Sequence, residues 1–112
     1  MILAITRMKV LPDKRIELSQ TIDSLSGSIK LEKGCKSCDF CQSINDENSL
    51  YLLEKWDGQE SHAAHLKSDY FRVIKGAMSL LKEPYEMTFY TASGNGADGK
   101  DFIKERISQF KR

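Results

Sequence analysis

Residues 50–71 read LYLLEKWDGQESHAAHLKSDYF, and the parsing of this stretch decides the fold. Leu50 to Trp56 is dense in apolar and aromatic residues and reads as a strand. Asp57-Gly58 is turn chemistry, and Asp57 with Glu60 makes an Asp-x-x-Glu capping pair for a helix over roughly 58–67. Ser68 suits the N-cap of a further helix over roughly 69–82. Phe71, Ile74, Met78 and Leu81 form one face of that helix, and Glu83-Pro84 stops it. Trp56 is the only Trp of the chain, and His62 and His65 are its 2 His.

Outward from this segment the pattern continues in both directions. Residues 2–10 (ILAITRMKV) and 36–44 (KSCDFCQSI) read as strands. Between them Leu18, Ile22, Leu25 and Ile29 give a helix with one apolar stripe, and Gly34 is a plausible stop beyond it. Asn45-Asp46-Glu47-Asn48 is a turn joining the second strand to the third, Ser49–Trp56. Residues 85–92 (YEMTFYTA) form a last strand. The order β-α-β-β-α-α-β is a ferredoxin-like α+β domain over residues 1–92, its second helix broken in two. Residues 93–112 form a separate tail. SGNGADG reads as a flexible linker, and DFIKERISQFKR carries the spacing of an amphipathic helix, an arm that must dock on its own domain or across a partner.

Composition narrows the class. At 112 residues and 40% hydrophobic, the chain is one globular domain with a modest core. Its 17 basic and 16 acidic residues are mixed, which argues against nucleic acid or an anionic membrane as partner. No apolar run approaches the ~18 residues of a membrane span, and the N-terminus lacks the features of a signal peptide. A cytoplasmic protein is expected.

The quoted segment also carries a resemblance. Gly34-Cys35, Glu54-Lys55-Trp56, Ala64-His65-Leu66-Lys67-Ser68 before Phe71, and Pro84 with the last strand look like the antibiotic biosynthesis monooxygenase superfamily, closest in local motif to its quinol-oxidising branch. The resemblance implies a four-stranded antiparallel sheet with helices on one face and a second subunit on the other. The strand residues agree: Leu50 and Leu52 share a face with Trp56, yet Tyr51 and Leu53 make the opposite face apolar too. A homodimer is therefore expected, with the C-terminal arm as a segment that could be swapped.

The activity the resemblance implies is cofactor-independent oxygenation of a small quinol-like or phenolic aromatic. Such a reaction needs a base and an apolar pocket. His65 is the expected base or anchor, because its imidazole titrates near neutrality, and Trp56 joins it as a catalytic candidate. Leu52, Tyr51, His62, Tyr70 and Phe71 are expected to bind substrate. In polyketide-type oxygenases the resemblance sets an Asn four residues before the Trp and a Tyr six after it. Those positions hold Leu52 and His62 here, so that proton-handling scheme does not transfer intact. A haem-degrading scheme would need an Asn, a Trp and a His where this chain has Arg7, His65 and Lys75, so no haem or other cofactor is expected. The residues also have structural readings. Trp56 suits a core aromatic, His65 a buried helix–sheet contact, and His62, among polar neighbours, a solvent-facing side chain. A small-ligand-binding or stress-associated dimer without catalysis is the alternative.

Cys35, Cys38 and Cys41 are evenly spaced, but strand alternation sends Cys38 and Cys41 to opposite faces. No metal site is expected from them. Burial of Cys35 and Cys38 as small apolar groups, with Cys41 as the more exposed thiol, is the simpler reading.

Overall fold

The computed structural model describes residues 1–92 and 102–108, the latter by their backbone. Four strands form the centre of the sheet: β1 (Ile2–Lys9), β2 (Cys35–Gln42), β3 (Ser49–Trp56) and β4 (Glu86–Ala92). Three α-helices, α1 (Arg15–Lys30), α2 (Gln59–Leu66) and α3 (Asp69–Ala77), complete the ferredoxin-like pattern. A short 3-10 turn, Met78–Leu80, ends the helical stretch before Pro84. A fifth strand, β5 (Phe102–Ser108), extends the antiparallel sheet to the order β2-β3-β1-β4-β5.

β5 corrects the expected C-terminal helix. Ile103, Glu105 and Ile107 oppose Thr91, Phe89 and Met87 in an antiparallel ladder with the chain's own β4. Local helical spacing lost because β4 would otherwise present a row of open N–H and C=O groups. A short isolated helix is marginal in water, so a ladder on an existing edge wins. The expected linker at 93–101 lies outside the described residues.

The sheet has two chemically distinct faces. On β1 the burial alternates without a break, with Ile2, Ala4, Thr6 and Met8 inward. Leu50, Leu52, Glu54 and Trp56 lie inward on β3, paired with Met8, Thr6, Ala4 and Ile2. Leu18, Ile22 and Ile29 of α1 and Phe71, Ile74 and Met78 beyond α2 bury their stripes on this face. At ~25 cal/mol per Å², burial of these side chains is the main term holding the helices to the sheet. The opposite face carries Leu3, Ile5, Tyr51 and Leu53, each only partly buried. Cys38 pairs with Glu54 and Cys41 with Tyr51, so the two thiols do lie on opposite faces.

Helix ends are set differently from the expectation at one point. Ser68 caps α3, its hydroxyl accepting from the Phe71 N–H at 3.1 Å. The N-cap of α2 is Gly58 in extended backbone, with no side-chain cap, so Asp57 does not play the expected part. Asp57 instead donates its N–H to the Gly34 carbonyl at 2.8 Å, tying the α1–β2 turn to the start of α2. Gly34 has φ 85°, and a Cβ there would run into Ser61 and lie 2.6 Å from Asp57 Oδ1. Glycine is needed at this close approach. Among the described residues no helix is long and apolar enough to cross a membrane.

Candidate active site

Both histidines leave α2 on one face, because residues three apart on a helix are neighbours. That face meets the inner side of the sheet, and both imidazoles are buried, His62 at 5% exposure and His65 at 1%. The expected solvent-facing position of His62 is thereby overturned. Its polar neighbours Glu60 and Ser61 lie on other sides of a two-turn helix, and helix phase, not local polarity, sets its direction.

Trp56 stands between the two rings. Its indole stacks on His65 with centroids 4.6 Å apart and planes 28° off parallel. The His62 ring lies 6.2 Å away on the same indole, tilted by 44°. Each histidine continues into a phenylalanine edge: His62 meets Phe89 at 4.7 Å, and His65 meets Phe71 at 5.5 Å. Five rings thus run from β4 across β3 and α2 to α3.

The two imidazoles differ in electrostatic setting. His65 Nδ1 lies 2.9 Å from Glu32 Oε2, and Nε2 lies 2.9 Å from Glu54 Oε2. The first is a well-formed hydrogen bond; the second is a close ion-pair approach at an angle poor for one. Burial by itself would favour neutral His65, but the close Glu54 carboxylate, then the hydrogen-bonded Glu32, outweigh it and raise its pKa. His65 is the centre of a Glu–His–Glu triad whose carboxylates favour its protonated form. For His62, burial lowers the pKa, Glu54 opposes that, and the His65 charge adds to the lowering. His62 is therefore a neutral imidazole at physiological pH, with Nε2 buried and without a hydrogen-bond partner.

Beside His62 is a cleft of about 180 Å³ lined by Ile2, Gln59, His62, Ala63, Leu66, Phe89 and Thr91. It lies between α2 and the β1–β4 part of the sheet and is largely apolar. His65 is fully enclosed, with 0% side-chain exposure, so the triad does not line the cleft and meets His62 through the Trp56 indole. Leu52 is a core residue between Thr6 and Phe40. Tyr51 lies on the opposite face of the sheet from Trp56, and Tyr70 is 40% exposed on α3. Phe71 packs on His65 and borders a separate cleft with Leu66, Lys67, Ser68, Arg72 and Lys75. Of the expected residues, then, the structure brings together Trp56, His62, His65 and Phe71. It sets Leu52, Tyr51 and Tyr70 elsewhere.

Glu32, Glu54 and Phe89 complete the arrangement; none is expected as a site residue from sequence, although Glu54 carries part of the family resemblance. Glu54 had a readable signal: it alternates with Leu52 and Trp56, so a carboxylate had to face the core and find a cation. Glu32 sits in an irregular turn, and nothing local points it at His65. Among the described residues, no group of three or more His, Cys, Asp or Glu side chains could hold a metal ion.

Comparison with known proteins defines the family. The model of the antibiotic biosynthesis monooxygenase family matches residues 1–77. The chain belongs to that family. It is 30% identical over 82 residues to "Putative monooxygenase YcnE" of Bacillus subtilis, covering 71% of this chain and 85% of that one. It is 33% identical over 87 residues to an uncharacterised Synechocystis protein, covering 74% of this chain but only 57% of the longer relative. Among solved structures, a "Putative antibiotic biosynthesis monooxygenase" from Nitrosomonas europaea superposes with a TM-score of 0.78 at 20% identity, over 84% of this chain and 100% of that one, a likeness of fold.

Proposed function

We propose that this chain is a cofactor-independent monooxygenase of a small phenolic or quinol-like aromatic, with His62 as the base at the cleft. The observation that carries the reading is a largely buried imidazole that lines an apolar cleft and carries an enclosed, unpartnered Nε2, in a member of a monooxygenase family. His62 suits the role better than His65, whose two nitrogens are engaged by carboxylates and whose ring is enclosed. At about 180 Å³ the cleft is smaller than the roughly 300–1,000 Å³ of pockets for drug-sized ligands, which favours a single-ring substrate.

In this scheme His62 Nε2, enclosed in the free protein, comes into reach of the cleft when substrate binds and accepts a proton from its hydroxyl. The electron-rich anion gives its electrons to dioxygen and forms a C–O bond at a ring carbon. The resulting hydroperoxide loses water. For a hydroquinone the sum is quinol plus O₂ giving hydroxyquinone plus water, so the substrate supplies all electrons. The apolar walls, Ile2, Leu66 and Phe89, exclude bulk water from the anion.

Oxygen consumption with a panel of substituted hydroquinones tests the proposal. One oxygen consumed per hydroxyquinone formed, with a loss of about 10²-fold or more in His62→Ala, is the expected result. Saturable binding with no oxygen uptake would overturn it in favour of a ligand-binding protein.

We also propose that a second copy covers the outer sheet face. Leu3, Ile5, Tyr51 and Leu53 lie there, opposite the helices. A face this apolar fits a subunit contact better than a wet surface.

A further inference from the structure

We propose that His65, clamped between Glu32 and Glu54, is a positioning residue for His62: it fixes the Trp56 indole on which both imidazoles rest. This rests on the assignment of His62 as the base.

The geometry supplies three reasons. First, both histidines sit on one short helix and flank one indole, at 4.6 Å and 6.2 Å. A shift of Trp56 therefore moves both. Second, a buried imidazole with a carboxylate at each nitrogen is held in one orientation. An imidazolium stacked on an indole is further held by the ring's negative face. Third, the clamp is built from parts far apart in sequence. Glu54 comes from β3, and Glu32 comes from the α1–β2 turn, which Gly34 and Asp57 tie to α2. A merely structural contact between helix and sheet would need no second carboxylate.

The charged and titratable groups around the pair are few. β3 contributes Glu54, which acts on both rings, and the α1–β2 turn contributes Glu32. β2 contributes Cys35 and Cys38, which Glu54 and burial hold as thiols. β1 and β4 present Ile2, Phe89 and Thr91 to His62, and α3 presents Phe71 to His65, none of them charged. Within this set, the cation nearest to His62 is His65, and a lone imidazolium beside a base favours the base's neutral form.

With only 2 His in the chain, ¹⁵N-imidazole NMR reads each ring separately. In the wild-type protein His65 is expected to lose its proton above, and His62 below, the ordinary histidine range. Glu32→Gln is expected to lower the His65 midpoint, and His65→Gln to raise the His62 midpoint. The acid limb of the oxygen-uptake profile should move up with it in His65→Gln. If that variant does not fold, the wild-type order of titration and Glu32→Gln still decide. A His65 that titrates below His62, a His65 midpoint unmoved by Glu32→Gln, or a His62 midpoint unmoved by His65→Gln overturns the proposal. Absence of oxygen uptake alongside the expected titrations would remove the monooxygenase reading and leave the electrostatic coupling of the two histidines standing.

Discussion

Glu54 Oε2 lies 2.9 Å from His65 Nε2, and both side chains are closed off from solvent, Glu54 at 1% and His65 at 0%. A carboxylate on the inner face of a central strand would be intolerable alone. The ion pair makes it tolerable, and it does so by drawing α2 onto β3 at the position where Trp56 needs a wall. The same contact thus ties the helix to the sheet and favours the protonated form of His65.

Removing one member of a buried pair strands the other, which costs about 3–5 kcal/mol in comparable cases. Because His65 would keep Glu32, Glu54→Ala is expected near the lower end, about 3 kcal/mol. Glu32 is 17% exposed, and Glu32→Ala should cost about 1 kcal/mol. Urea unfolding of the two variants gives the comparison. Equal losses, or a larger loss for Glu32→Ala, would mean that Glu54 is not the principal anchor.

Stability should fall on both sides of about pH 6.5, the ordinary histidine midpoint. His65 has a raised native pKa, so its contribution is complete below about pH 6.5 and is lost as pH rises through its native midpoint. His62 has a lowered native pKa, so its contribution is complete above about pH 6.5 and is lost as pH falls through its native midpoint. Measurements between about pH 5 and 8 stay clear of most carboxylates and thiols. His65→Gln should flatten the alkaline limb and His62→Gln the acid limb. A profile unchanged by either substitution would contradict the assigned charge states.

The fold was legible because its signals are local and mutually consistent. Alternation on β3, the Leu18–Ile22–Leu25–Ile29 stripe and the Ser68 cap each point to the element that forms. The site was legible only in part. Trp56 and the two histidines stand out by rarity, but which histidine faces the cleft depends on the phase of an eight-residue helix. That phase is set by packing against β3 and β4. The partner of Glu54 comes from eleven residues further on, and that of His65 Nδ1 from a turn thirty-three residues back. β5 departs from its helical spacing for a related reason: that spacing is local, while the ladder edge that captures the segment belongs to β4.

Gly34→Ala should weaken the clamp without touching it. The residue adopts φ 85°, and a methyl would press on Ser61 and Asp57. Left-handed backbone costs a non-glycine residue about 1–2 kcal/mol, and the crowding adds to it. A loss of about 2 kcal/mol is expected, together with a lower His65 midpoint, since Glu32 rides on the same turn. Unfolding with an unshifted His65 signal would show that the turn does not position Glu32.

The thiols should react in a fixed order. Burial, then Glu54, pushes the Cys38 thiol up to about 12, so it should be inert to a disulfide reagent in the native protein at pH 8. Cys35 is raised by the same two causes and should react slowly. Cys41 shares the outer face with Tyr51, so the proposed subunit contact should shield it in the dimer, and it should react first only in the Leu53→Asp variant, where that face is open. Mass spectrometry of singly labelled protein identifies the site, and early modification of Cys38 would contradict its place in the core.

The proposed subunit contact makes the sharpest demand on solution behaviour. Leu53 sits on the outer face between Ile5 of β1 and Asp39 of β2, so Leu53→Asp would bury a charge at the contact and leave the inner core untouched. Light scattering should give twice 12.8 kDa for the wild-type chain and 12.8 kDa for the variant, with its helix and strand content retained. A wild-type mass of one chain removes the dimer. Truncation after Ala92 then separates two uses of β5. Loss of the dimer would mean that the strand reaches across to the partner. A dimer that persists with reduced stability would mean that β5 serves its own β4, as the ladder from Glu86↔Ser108 to Ala92↔Phe102 has it.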